Sequence, residues 1–435
     1  GQFVSINHCS YSSHKFNSMF RPFGRSDRFY YVNFYFKEDF ILMAKTKKIL
    51  EKKNWSNSFM LIGEAKINDY TYKLDAKAGQ SDWIYNSLNL GVYCGETCGT
   101  VYAELMGGYG AERDNVIYVH GKDENGKDDF SNKFTIDWED RFDETILESV
   151  GDLCYLTVGI ERDKGGKVYY KKFLAPYDMI AYINENLEDG MVVNVKGNLK
   201  YSMYNDELQV KKEINSVVLS KVNDSSKYCA KFTQTMLLTK DSLGKVDKTT
   251  GILPIYAKVL DYIKEYKGKE VRANIPYNKT FEFELDLSTP DIAQKVIDKI
   301  FKVRKDVTEV TFEGDLIEGG ALVTATEDDL PDDIKALIAI NVFTLEEALA
   351  KCTANSGREK RMVIRKPVIK LVEDKEGNKT PVIQKFERKY EEEDLIPNFM
   401  YSTEDEDYED EIDDDTDSDE NESTSNDDND WLNRL

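Results

Sequence analysis

The sequence predicts a mainly β fold with a few helices, closed by an acidic tail. Three observations carry this. Aromatic and β-branched runs, broken by turn residues, dominate from Phe59 to Leu219; the same order of elements returns after Lys221; and from Glu391 onward apolar residues give way to carboxylates. At 435 residues, with 40% hydrophobic and 12% aromatic content, the chain has room for two or three domains with real cores.

Residues 1–42 precede "MAKTKK" and hold two of the three histidines, His8 and His14. The natural product is expected to begin at Met43, with 1–42 an appended or upstream-translated extension; a genuine N-terminal arm is the alternative. Next come the strand candidates "FMLIGEAKI", "YTYKLDA", "TVYAELM", "NVIYVHG", "KFTIDW", "LCYLTVGIE" and "VYYKKFL". Two helices interrupt them. "DETILESV" is short, whereas "APYDMIAYINENLEDG" has Pro176 near its start, Met179, Ile180, Ile183 and Leu187 on one stripe, and Gly190 as its stop. A long hairpin follows at once, "MVVNVKGNLKYSMY" and "ELQVKKEINSVVLSK" joined at "NDE".

After Lys221 the strands "KFTQTMLLTKD", "ILPIYAKVLDYIKEY" and "TFEFELDLS", the helix "TPDIAQKVIDKIFKVR" and the strand "VTEVTFEGDLIEG" predict a second unit of the same type. Residues 329–354 read as helical. "RMVIRKPVIKLVEDKEGNKTPVIQKFERKY" reads as a hairpin turning at "EGNKT", confined to a sheet edge by Pro367 and Pro381. The expected units are therefore 43–150, a β-rich module or insertion; 151–222, a barrel core; 223–328, a second such domain; 329–390, a helical segment and basic hairpin; and 391–435, a disordered tail.

Charge is unevenly distributed. Residues 391–435 hold 21 acidic side chains and one basic, Arg434, so the tail takes −20 of the net −23 and the rest is nearly neutral. Residues 355–390 carry net +6 and residues 191–240 net +4. A low pI therefore says nothing against a local anion-binding face. No run approaches 18 apolar residues and no signal peptide opens the chain, which predicts a soluble intracellular protein with no membrane partner. The six scattered cysteines are expected to be reduced thiols.

Read with period two, the first strand of the long hairpin points Val193, Val195, Leu199, Tyr201 and Met203 one way. Lys196, Asn198, Lys200, Ser202 and Tyr204 point the other. One face is apolar; the other sets ammonium groups beside an aromatic ring, the mixture that a single-stranded nucleic acid requires. An ordinary wet sheet face carries similar residues, and that alternative has equal weight on the hairpin alone. In "KVYYKKFLAPY", Tyr170 and Lys172 share one face and Tyr169, Lys171 and Phe173 the other, with Tyr177 just beyond. The candidate contacts are Tyr170, Lys172, Phe173 and Tyr177 from this segment and Lys196, Lys200, Tyr204, Lys211 and Lys212 from the hairpin.

The stretch from Lys167 to Ser220, with its "G-x-V-x-V-x-G-x-L" pattern, resembles the second half of the bacterial and phage single-stranded DNA-binding proteins. The resemblance implies an OB-fold barrel, with a second OB-like domain in the repeat, and base-stacking rings on or near Tyr170, Tyr177 and Tyr204. It also implies work in phage or bacterial replication, recombination and repair in the cytoplasm, with single-stranded DNA as partner. This chain departs from the family in the roughly 70 residues before "LCYLTVGIE". Either the barrel starts at "FMLIGEAKIND" and carries an insertion, or it starts at "LCYLTVGIE" after a separate module; the second is slightly favoured. In the same family an acidic tail ends in an apolar tip that docks on replication proteins. Trp431, Leu432 and Leu435 would form that tip here, without the proline and terminal phenylalanine of the bacterial members.

Little points to catalysis, and no enzyme activity, cofactor or metal is expected. Beyond residue 42 only His120 remains for acid–base chemistry, and no Walker loop, dinucleotide fingerprint or nucleophile elbow is present. Cys94 and Cys98 with His120 lack the second pair of a zinc site, and "DENGKDD" is a turn rather than a calcium loop. Another class remains open: an acidic adaptor or nucleic-acid mimic, virion-associated, using its barrels for protein contacts.

Overall fold

The computed structural model describes residues 48–397, apart from 205–206, 223, 267–268, 305, 374–376, 378 and nearly all of 323–357. The extension 1–42, the tail beyond 397 and its tip of Trp431, Leu432 and Leu435 lie outside the described residues, as does most of the helical segment expected over 329–354.

Strand β1 (Asn57–Lys66) buries Phe59, Leu61 and Ala65 on one side, the alternation expected of a strand with one face on a core. β2 (Tyr72–Lys77) pairs with β3 (Trp83–Tyr93), which turns through α1 (Gly95–Cys98) into β4 (Thr100–Gly110). A hairpin of β5 (Val116–Lys122) and β6 (Asp128–Asp137) follows, then α2 (Glu144–Leu147) and a second hairpin of β7 (Leu156–Arg162) and β8 (Val168–Phe173). Helix α3 (Pro176–Asn186) starts on Pro176, whose missing N–H costs nothing at a helix N-terminus. It buries Met179, Ile180 and Ile183 over β3, β4 and β7, each contributing about 1.5–3 kcal/mol. β9 (Val192–Tyr204) and β10 (Glu207–Leu219) complete the unit.

Five of these strands close a ring. β1 pairs with β3, β3 with β4 and β9 with both β10 and β1, all antiparallel, while β4 and β10 pair in parallel. This strand order is that of an OB barrel, and α3 lies, as in that fold, between the third and fourth barrel strands. The expectation of a barrel beginning at "LCYLTVGIE" is corrected by this pairing. The first strand is β1, the boundary at 150 falls inside the barrel unit, and residues 111–174 are an insertion whose β7 and β8 extend the sheet from β10.

The ring is built a second time by β11 (Cys229–Leu238), β12 (Ile252–Tyr266), β13 (Lys269–Glu284), β14 (Val307–Leu322) and β15 (Arg358–Pro367). Pairing runs β11–β12–β13–β15–β14–β11, again with one parallel contact, β13 to β15. Helix α4 (Pro290–Val296) and a π-helical turn, Ile297–Phe301, occupy the place of α3. The second barrel therefore runs past 328 to Pro367, because the first half of the expected basic hairpin is its closing strand. β16 (Ile369–Glu373) pairs antiparallel with β17 (Lys379–Ile383), and β18 (Lys385–Tyr390) returns to β14.

The two barrels are joined through their first strands. β1 and β11 run antiparallel with Phe59 opposite Phe232, and each ring covers a glycine of its own barrel, Gly197 and Gly314. At Gly197 an added Cβ would sit 1.9 Å from the Glu213 carbonyl oxygen and 2.7 Å from the Phe59 ring. At Gly314 the same atom meets the Val363 carbonyl at 2.3 Å and the Phe232 ring at 2.5 Å. The repeat "VKGNL" and "FEGDL" is thus a packing requirement met twice. Polar ties also cross the junction: the Tyr201 N–H donates to Asp261 at 2.7 Å, and the Tyr201 hydroxyl donates to Gln234 at 2.8 Å.

Candidate nucleic-acid interface

The pairing register aligns side chains from distant segments into one row. Lys172 on β8 lies opposite Thr157 on β7, Thr157 opposite Ser216 on β10, and Ser216 opposite Lys196 on β9. Lys196 is in turn opposite Met60 on β1, and Met60 opposite Lys231 on β11. At the usual strand spacing of about 4.8 Å, Lys172 and Lys196 are roughly 14 Å apart, and Lys231 roughly 10 Å further. Tyr170 shares the Lys172 face, since its ring lies over Gly159, and is half exposed. Lys200 and Lys211 are directly opposite each other on the same outer face of the β9–β10 hairpin, and Tyr204, 67% exposed, stands near its tip.

Around the junction the outer sheet face forms an open groove of about 630 Å³, with Met60, Lys196, Asn198, Lys231, Arg365 and Lys366 in its lining. Most of its cations already have carboxylate neighbours. Lys231 and Arg365 both bond Asp315, and Lys366 lies 3.1 Å from Glu313. Lys172 bonds Asp152 at 3.0 Å, an interaction that together with Lys122 holds the Asp152 carboxyl below its usual range. Lys211 is 3.3 Å from Glu104, and Lys200 is 3.9 Å from Glu213. Among the described residues Lys196 has no ion pair. The exposed pairs, those of Asp152, Glu104 and Glu213, contribute at most about 1 kcal/mol each, so a polyanion with several phosphates can displace them, whereas Asp315 is a buried carboxylate held between Lys231 and Arg365.

Three candidate contacts lie elsewhere. Lys212 points into the barrel, 8% exposed, in a buried ion pair with Glu318 of the second barrel, because alternation puts it on the opposite side from Lys211. Phe173 faces α3, its ring 5.5 Å from that of Tyr182. Tyr177 is half-buried at the start of α3, with ring centroids 5.5 Å from Tyr109 and 6.0 Å from Trp138. Its hydroxyl donates to Asp75, and burial first, then this bond, pushes its pKa up. Cys94 and Cys98 are buried in the first core, whereas His120 belongs to the β5–β6 hairpin, so the three do not assemble.

Some surface groups escaped the sequence reading. Lys231 and Arg365 belong to the same outer face through β11 and β15. The repeated "x-G-x-L" of β9 and β14 was the available signal. On the outer side of β12, the second strand of the second barrel, Tyr256 and Tyr262 are half exposed. Between them Lys258 has its pKa lowered by burial and bonds the Asn278 side-chain oxygen at 2.8 Å.

Ring closure, strand order and helix position define the class: two OB-type barrels in tandem, fused through their first strands. A family model described as YorF matches residues 155–329, from the insertion hairpin into the second barrel. Among solved structures, a deletion mutant of the single-stranded DNA-binding protein from Thermus aquaticus is similar, with 13% identity over 61% of this chain and 89% of that one, at a TM-score of 0.28. The wild-type protein of that organism gives 12% identity, 60% and 85% coverage, and a TM-score of 0.27. No curated protein matches the sequence. Among the described residues no helix is long and apolar enough to cross a membrane.

Proposed function

We infer that the chain binds single-stranded DNA, coats it during phage or bacterial replication and recombination in the cytoplasm, and acts without catalysing a reaction. The row of Lys172, Lys196 and Lys231 across one continuous sheet, flanked by the open rings of Tyr170 and Tyr204, carries this reading. Ammonium groups set at strand spacings track a phosphate backbone, and rings at the margin offer stacking surfaces that accept any base. The acidic tail would compete for the same cations and present Trp431, Leu432 and Leu435 to replication proteins at a distance set by a self-extended linker.

Titration of fluorescent oligo-dT with the full chain and with a chain ending at Tyr401, at two salt concentrations, tests this. The shortened chain binds at least as tightly, and log affinity falls linearly with log salt. Tyr170→Ala with Tyr204→Ala weakens binding by about 1–3 kcal/mol per ring and leaves the thermal midpoint in place. Absence of oligonucleotide binding by either chain would support the acidic-adaptor reading, which the carboxylates shared among the face's cations favour.

A further inference from the structure

In the insertion, three side chains with no part in the nucleic-acid reading stand in line. Cys154 Sγ lies 3.2 Å from His120 Nδ1, and His120 Nε2 lies 2.7 Å from Asp128 Oδ1. Asp128 is itself fixed by the Leu153 N–H at 2.9 Å. The His120 backbone N–H donates to Cys154 Sγ at 3.4 Å, and the Phe130 ring lies 4.5 Å from the imidazole. Sγ is also 3.8 Å from His120 Nε2, so the thiol rests against the face of the imidazole at its Nδ1 side, within proton-transfer reach of Nδ1 once the ring turns toward it. A nucleophile, a base and a group that orients the base is the arrangement that activates weak nucleophiles in general.

None of the other described cysteines has a histidine beside it. Cys94 and Cys98 are buried in the first core and Cys229 is partly buried; burial pushes all three thiols up in pKa. Cys154 is half-buried and has the only imidazole neighbour among the described cysteines.

We propose that Cys154 is a site of thiol–disulfide exchange with low-molecular-weight disulfides, with His120 as its base and Asp128 as the positioning residue. His120 Nδ1 takes the thiol proton and the thiolate attacks one sulfur of R–S–S–R. The new Cys154–S–S–R bond forms as the old S–S bond breaks. The departing thiolate leaves as R–SH with the proton returned by the imidazolium. The small disulfide is the sole oxidant. The exchange is independent of nucleic-acid binding and stands or falls separately from it.

The full chain is incubated with glutathione disulfide near neutral pH, quenched at intervals, digested and mapped by mass. The Cys154 peptide gains the glutathionyl group first, ahead of the peptides holding Cys94, Cys98 and Cys229. His120→Ala slows the modification roughly a hundredfold and added imidazole restores part of the rate, which a purely structural role would not allow. Asp128→Asn, which preserves shape, slows it by less. Modification of Cys154 no faster than of the buried thiols overturns the proposal, as does an unchanged rate in His120→Ala with its circular dichroism intact. Should His120→Ala unfold, the buried thiols also react, and the Asp128→Asn rate then decides.

Discussion

Lys196 and Lys212 carry the same charge on paired strands and meet opposite surroundings. Lys196 stands on the outer face without a counter-ion among the described residues, whereas Lys212 spends its charge on Glu318 inside the junction between barrels. A buried pair contributes little net stability, because desolvation offsets most of the attraction, but removing one partner strands the other. Lys212→Met is therefore expected to cost about 3 kcal/mol in urea unfolding. Lys212→Met with Glu318→Gln, which keeps an acceptor for the Tyr102 N–H, should recover most of it. A double change as damaging as the single one would mean that the pair is net stabilising. Period-two alternation already forbids adjacent Lys211 and Lys212 from facing outward together, so one of the two was always going to be a core residue.

At the scale of elements, the β9–β10 hairpin was legible because its pattern is local. Buried Val193, Val195, Leu199 and Tyr201 alternate with open positions along β9 as the sequence implies, while Met203, expected on the same face, is exposed where the hairpin runs out past the core. The first strand of the barrel was harder to assign, since the parallel contact of β4 with β10 joins residues about a hundred positions apart and leaves no trace in local composition. β15 was misassigned for the same reason: its partners β13 and β14 precede a long connection, and two prolines suggested an edge. The glycines of β9 and β14 offer a test of the repeat. Gly314→Ala must displace the Val363 carbonyl or the Phe232 ring, and overpacking of this kind costs about 1–3 kcal/mol. Gly197→Ala should cost a similar amount against Glu213 and Phe59. An unchanged midpoint for either would show that the strand can shift to make room.

Across the whole molecule one hydrophobic core runs through both barrels, with Leu61 and Ile214 in the same cluster as Phe232 and Phe312. Scanning calorimetry should therefore record one cooperative transition for both barrels, and two separated endotherms would show that they unfold as independent domains.

The fusion through β1 and β11 also frees the two halves from having to match. A nucleic-acid strand has a direction, from its 5′ end to its 3′ end, and a strictly twofold surface built from identical subunits looks the same to a strand entering from either side. Here Lys196 in one half is answered by Glu313 in the other, one residue before the matching glycine in each case. The two halves of the groove therefore differ in what they set beside that glycine, an ammonium group without an ion pair among the described residues in one and a carboxylate paired with Lys366 in the other.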